Sequence, residues 1–173
     1  WLDTHLFQKL SKLIKKKLMI KADVLVNNKA WKTHIKNPNI YIKKKLIKVD
    51  KNINIFRKNK LNFTLLLSGD REIKKLNKKF RKKDKITDVL SFPFHEKKIL
   101  KKMIGKKKKN IYLGDIIINL NKIMKQNQNQ SFFVVFDKLW IHGLSHLMGY
   151  CHKSNRDFSK MQKFENRIIK SSQ

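Results

Sequence analysis

An α+β fold is what the hydrophobic patterning of this chain predicts, with a layer of helices packed against a mixed sheet of about four strands. Three observations carry that expectation. Segments 21–27 and 61–67 alternate apolar with other side chains at a period of two, and 111–118 (IYLGDIII) is apolar almost throughout, as strands require. Between these segments, apolar residues recur every three or four positions, as helices require. An extended segment at 87–94 (TDVLSFPF), following one of those helices, suggests a crossover.

In chain order, residues 2 to 18 space Leu2, Leu6, Leu10, Leu13, Ile14 and Leu18 at helical intervals among lysines, an amphipathic pattern. The chain starts at Trp1, and Met19 stands just before the first strand-like segment. Met19 is a candidate start, so residues 1–18 are read as an N-terminal extension outside the native fold and 19–173 as a single domain. Asn37 and Pro38 supply a cap and a first-turn proline for a helix with Ile40, Tyr41 and Ile47 on its apolar side. In 61–67, Leu61, Phe63, Leu65 and Leu67 share one strand face, and Ser68-Gly69-Asp70 turns the chain into a helix that packs through Ile73, Leu76 and Phe80 and ends near Arg81. Pro93 stops the extended segment after it. Residues 96–110, rich in lysine and poor in apolar pattern, are expected to form a mobile basic loop. Asn119 is placed to cap a short helix through Met124, and 126–130 read as a polar link. Between Ser131 and Gly149, Val135, Leu139, His142, His146 and Gly149 follow at intervals of four, three, four and three. Phe158, Met161, Phe164, Ile168 and Ile169 mark a closing amphipathic helix.

A chain of 173 residues is the size of one ordinary domain and hides roughly 70% of its extended surface in a single core. Its hydrophobic fraction of 40%, with 11 Phe, supplies that core and argues against intrinsic disorder. The charge is lopsided: 43 Lys plus Arg against 12 Asp plus Glu leaves +31. The enrichment in Lys, Asn and Ile is what an AT-rich genome favours, yet that bias does not by itself require so few acids. A polyanion, nucleic acid before an anionic membrane surface, is therefore the expected partner. The single cysteine, Cys151, forms no internal disulfide, and no run of 18 uncharged apolar residues is present to span a bilayer. Asp3, Lys9, Lys12 and Lys15 to Lys17 interrupt any signal-peptide core, so a cytoplasmic protein is expected.

The chemistry concentrates in His142-Gly-Leu-Ser-His146-Leu-Met-Gly149-Tyr-Cys-His152, which holds half of the six histidines within eleven residues. Positions four apart share a helix face, so His142 and His146 can meet one ion. Gly149 permits the left-handed residue that ends a helix and lets the backbone swing His152 toward the same point. Three imidazoles without a fourth protein ligand make an open site, the arrangement that catalytic zinc uses, whereas structural zinc closes its shell with four ligands. Cys151 is not expected to add a ligand, because its neighbour His152 must already face the ion. The spacing is zincin-like and is shared with metzincin peptidases, where a Glu after the first His activates water. Here that position is Gly143, which removes the general base of a peptidase.

These residues resemble the YbeY family of bacterial endoribonucleases, whose signature is H-G-x-L-H-L-x-G-Y-D-H. Two further blocks agree in order and spacing. LNKKFRKKDKITDVLSFPF, from Leu76 to Phe94, is similar to the family's LN-x-x-[YF]-R-x-x-D-x-x-T-D-V-L-S-F-P, and LGDIIIN, from Leu113 to Asn119, is similar to its LGDI strand. The resemblance covers about residues 20 to 170. It implies a single-strand-specific, zinc-dependent endoribonuclease domain over 19–173 that processes ribosomal RNA, in particular the 3′ end of the small-subunit RNA, and takes part in ribosome quality control with ribosomal subunits as partners. It further implies one zinc ion per chain on His142, His146 and His152, with His142 in the catalytic centre, and places the family's essential arginine on Arg81.

Guanidinium grips phosphate oxygens bidentately, which suits Arg81 to a phosphate beside the ion, and the adjacent Lys82, Lys83 and Lys85 are candidate RNA contacts. Asp115, a carboxylate inside an apolar strand, is expected either to orient a ligating histidine or to serve as a helix cap or backbone acceptor. Ser145 and Cys151 depart from the family's Leu and Asp, and the second departure bears more on catalysis than on metal binding. The competing reading is a non-catalytic, RNA-binding ribosome assembly factor with a structural metal. Either reading predicts that affinity for single-stranded RNA falls steeply from low to physiological salt in a binding titration; an affinity indifferent to salt would contradict the polyanion assignment.

Overall fold

The computed structural model describes residues 18–57, 59–106, 110–126 and 130–173. The amphipathic segment 2–18 therefore falls, except for Leu18, outside the described residues. Strand β1 (Ile20–Val26) points Ile20 and Val24 into the core. Strand β2 (Leu61–Ser68) buries Leu61, Phe63, Leu65 and Leu67 almost completely, the alternation that its sequence predicts. β1 and β2 run parallel, so the chain between them must cross over, which it does through helix α1 (Trp31–His34), helix α2 (Pro38–Asn52) and the short helix α3 (Asn54–Arg57). Trp31 is fully buried at the end of β2, where its indole Nε1 donates to the Ser68 carbonyl at 2.8 Å.

The N-terminus of α2 forms as expected: the Asn37 side chain accepts from the Ile40 amide at 3.1 Å, and Pro38 occupies the first turn. Its buried face differs. Ile42, Leu46 and Val49 enter the core, while Ile40 stays 50% exposed. Two apolar stripes compete on this helix, and contact with β1 and the C-terminal helix selects the one carrying Leu46.

β2 leads through Gly69 into helix α4 (Asp70–Arg81), followed by strand β3 (Val89–Pro93), helix α5 (Lys97–Gly105) and strand β4 (Ile111–Asn119). The sheet order is β1-β2-β4-β3, with β4 parallel to β2 and antiparallel to the edge strand β3. A mixed four-stranded sheet results, and β4 is central as its continuous apolar run implies. Within the basic segment 96–110, residues 97–105 form a helix and not the loop expected, while 107–109 lie outside the described residues: Leu100 is buried to 2% exposure, Met103 and Ile104 pack against the same core, and this i, i+3, i+4 face suffices to pin α5. The lysines that hid the pattern occupy its solvent side.

Asn119 caps helix α6 (Leu120–Gln126), its Oδ1 accepting from the Asn121 amide at 3.1 Å. Helix α7 (Phe132–Leu147) then lies on β3 and β4, and helix α8 (Asn155–Ser172) packs on α7 and α2 through Met161, Phe164 and Ile168, leaving Phe158 at 55% exposure. α7 is tied to α2 by Asp137, which accepts from the Tyr41 hydroxyl at 3.0 Å and the Trp140 indole at 2.9 Å and pairs with Lys45 at 2.8 Å. Burial, then the Asp137 charge, pushes the Tyr41 phenol far above its ordinary value, so this hydroxyl remains a donor.

The main core occupies one face of the sheet, under α2, α7 and α8. A smaller cluster of Ile73, Leu90 and Ile117 occupies the other face, under α4. Phe80 belongs only to the margin of that cluster: it is 58% exposed and stands edge-on to Phe92, centroids 5.3 Å apart. Among the described residues no helix is long and apolar enough to cross a membrane. The packing of α5 predicts that Leu100→Ala lowers the unfolding free energy by about 2–5 kcal/mol in a urea titration. The neighbouring Ile99→Ala, at a half-exposed position, should change it by about 0.5 kcal/mol or less.

Candidate metal centre

His142 and His146 project from the same side of α7, and what permits that helix to lie so low is the residue between them. A Cβ placed on Gly143 would come within 2.6 Å of Ile116 Cγ2 on β4, so glycine lets the helix backbone rest directly on the strand. The same contact shows that position 143 faces the sheet, away from the imidazoles, and offers no place for a general base.

α7 ends in a Schellman turn. The Tyr150 amide donates to the Ser145 carbonyl at 3.0 Å and the Gly149 amide to the His146 carbonyl at 2.9 Å, with Gly149 at φ +84°. Tyr150 then stacks on Phe164 of α8, centroids 4.4 Å apart. This reversal returns the chain beneath the helix end and brings His152 beside the other two rings, its centroid 5.8 Å from that of His142 and 5.2 Å from that of His146.

The three rings offer ligand nitrogens that all lie within 4.8 Å of one another, and the Nε2 atoms of His142 and His146 are 3.1 Å apart. Two nitrogens sharing a tetrahedral ion at zinc–nitrogen distances stand roughly 3.3 Å apart, so the geometry fits a divalent cation. Among the described residues, this group of three histidines is the set whose ligand atoms converge, and Cys151 is not part of it.

The helical pair is oriented from behind. His142 Nδ1 lies 2.9 Å from Glu165 Oε1, and His146 Nδ1 lies 3.1 Å from the Tyr150 carbonyl. With both Nδ1 atoms donating, the lone pairs sit on the converging Nε2 atoms. Burial, and then the neighbouring His142, hold the His146 imidazole below its ordinary value, which favours the neutral form that a metal requires.

Glu165 was not singled out from the sequence. The available signal was an acid bordering the apolar stripe Met161–Phe164–Ile168 in a chain poor in acids. Asp115, considered for this orienting role, does not perform it. Consecutive strand residues point to opposite faces; Ile116 meets α7, so Asp115 lies on the far side, where it accepts from the Tyr112 hydroxyl at 2.5 Å. Among the described residues it neither caps a helix nor takes a backbone donor.

Arg81 closes α4 on that far side and is exposed, with no hydrogen bond or ion pair among the described residues. Among the described residues no contact joins it to the three histidines; α4 packs over the smaller cluster on one face of the sheet and α7 over the main core on the other. Lys82, Lys83 and Lys85 follow, all exposed, in a turn that Asn77 holds by accepting from the Lys83 amide at 3.3 Å and donating to the Lys85 carbonyl at 2.8 Å. Lys97, which no local pattern marks out, lays its side-chain stem against Gly149 in the turn that ends α7. Ser145 is fully buried and donates to the Ile141 carbonyl at 2.9 Å, so its departure from the family's leucine is absorbed within the helix.

The model of the family described as Endoribonuclease YbeY matches residues 25–173, a span containing every element from β2 onward and the entire histidine cluster. The chain belongs to this family. Endoribonuclease YbeY of Pelagibacter ubique is 43% identical over 155 residues, covering 88% of this chain and 95% of its own. Endoribonuclease YbeY of Buchnera aphidicola is 38% identical over 137 residues, covering 76% and 79%. A solution structure from Thermotoga maritima shares the fold at a TM-score of 0.51 and 24% identity, over 88% of this chain and 90% of that one. Within the YbeY framework, Glu165→Gln is expected to weaken divalent-ion binding roughly 10- to 100-fold by titration, with the fold retained by circular dichroism.

Proposed function

We propose that this chain is an endoribonuclease that cleaves single-stranded RNA in the processing of ribosomal RNA, with one zinc ion held by His142, His146 and His152. The observation that carries the reading is the convergence of three imidazoles in a chain whose residues 25–173 match the YbeY family model. A zinc ion at such a site supplies Lewis-acid polarisation of a phosphoryl oxygen and acidifies water.

The protein's own groups account for the rest. Glu165 and the Tyr150 carbonyl fix the rings of His142 and His146. Arg81, exposed at the end of α4, is free to swing toward a phosphate at the edge of β3 and to take its oxygens bidentately, offsetting charge that develops during cleavage. Lys82, Lys83 and Lys85 extend the basic surface along the RNA backbone. Ribosomal subunits as partners, the 3′ end of small-subunit RNA as substrate, ribosome quality control and a cytoplasmic site of action belong to the same reading. The assembly-factor alternative has the same basic surface but requires no open position at the metal.

A cleavage assay on single-stranded RNA, run with elemental analysis, tests the proposal. One zinc per chain is expected. His142→Ala is expected to lose both ion and activity, and Arg81→Ala to lower kcat roughly 100- to 1000-fold. Arg81→Lys should not restore full activity, because ammonium lacks the planar fork. Equal cleavage by wild type and both alanine variants would remove the enzymatic claim.

The pH dependence follows from the neutral form being the ligand. Metal affinity is expected to fall as pH drops through the imidazole range, about 6.5, because protons then compete for the nitrogens. The lowered value of His146 opposes that loss, since this ring stays neutral further into acid than an ordinary histidine. Competition titrations across that range check the sign.

A further inference from the structure

The sheet face opposite the main core is only partly covered. α4 shields Leu90 and Ile117, but at its C-terminal end two aromatic rings remain open, with Phe80 58% and Phe94 66% exposed. Neither ring is loosely placed. Phe80 stands edge-on to Phe92, and Phe94 edge-on to Tyr112 with centroids 5.5 Å apart. Tyr112 is in turn held by its hydroxyl contacts, 2.5 Å to Asp115 and 2.8 Å to Thr64. Phe92, against which Phe80 stands, is two residues before Phe94, so the two exposed rings border the same stretch of chain at the end of β3.

We propose that Phe80 and Phe94 form a stacking platform for the unpaired bases of single-stranded RNA on its way to the histidine cluster. The inference rests on the endoribonuclease reading and adds to it how a single strand is chosen. Aromatic faces take any base, but only where the base is not already paired and stacked in a duplex. The surrounding charge is that of a nucleic-acid groove. Lys79 Nζ sits 5.2 Å from the Phe80 centroid, and Arg81 and Lys82 continue from it. Phosphates are drawn to that side, while the Asp115 carboxylate on the same face is occupied by Tyr112.

The platform also leads to the candidate metal centre. Three residues after Phe94, Lys97 lies against Gly149, the turn that ends the histidine-bearing helix. A strand stacked on Phe94 would thereby pass beside the turn that ends the histidine-bearing helix.

Fluorescence anisotropy of a labelled single-stranded oligoribonucleotide, beside the duplex of the same sequence, tests the platform on the full chain. Phe80→Leu and Phe94→Leu keep apolar bulk and remove the ring. Each is expected to weaken single-strand binding roughly 5- to 100-fold, to leave duplex binding within about twofold, and to raise KM for the single strand. Phe94→Trp is expected to retain single-strand affinity and to show an RNA-dependent fluorescence change that Phe94→Leu lacks. Leucine variants that bind the single strand as tightly as a cleaving wild type would overturn the platform and leave the nuclease standing. A wild type that binds through these rings but cleaves nothing would support the platform and overturn the endoribonuclease reading.

Discussion

The seating of α7 on β4 is the contact on which the rest depends. Gly143 brings the helix backbone against Ile116, and this fixes both the height of the helix above the sheet and its rotation. Once the rotation is set, the side holding His142 and His146 turns toward the margin of the sheet, half exposed, while Phe136, Trp140, Leu144 and Leu147 fill the core. A side chain at position 143 would lift the helix and move both imidazoles together. The glycine that removes a peptidase's general base thus has a packing reason of its own.

The second constraint is the reversal after Leu147. A Schellman turn with Gly149 in the left-handed region spends only a few residues returning the chain, and the stack of Tyr150 on Phe164 fastens the return to α8. α8 also carries Glu165, so one helix stabilises the loop bearing His152 and orients the ring of His142. Metal-binding geometry and C-terminal packing are therefore one problem here, solved by the same helix pair.

A chain at +31 must keep its cations apart while using few acids, and the placement of those acids is informative. Asp137 joins α2 to α7, Asp70 joins α4 to Asn119 at the end of β4 and to Asn121 of α6, Glu165 holds His142, and Asp115 holds Tyr112. The amides of Asn121 and Asn119 hold the Asp70 carboxyl below its ordinary range. Asp137, Asp70 and Glu165 thus join separate elements, Asp115 acts within its own strand, and Asp84 pairs at the surface with Lys74 and Lys78, while the field of the exposed lysines extends into solvent where a polyanion meets it.

How much of this was legible in the sequence depends on the range of the interaction that decides each feature. Local rules sufficed for the strands, for the Asn37–Pro38 start of α2, for the Asn119 cap and for the spacing that puts His142 and His146 on one side, because all of these act within a few residues. Features that require two distant segments to meet were beyond such rules. Whether α2 buries Ile40 or Leu46, whether a lysine-rich segment finds a core for Leu100, which side of the sheet Asp115 faces, and which acid stands behind His142 are decided by what each residue packs against. The sequence by itself determined the periodicities and the chemical groups available; the tertiary structure alone decided their partners, because burial and hydrogen bonding are properties of pairs brought together by the fold.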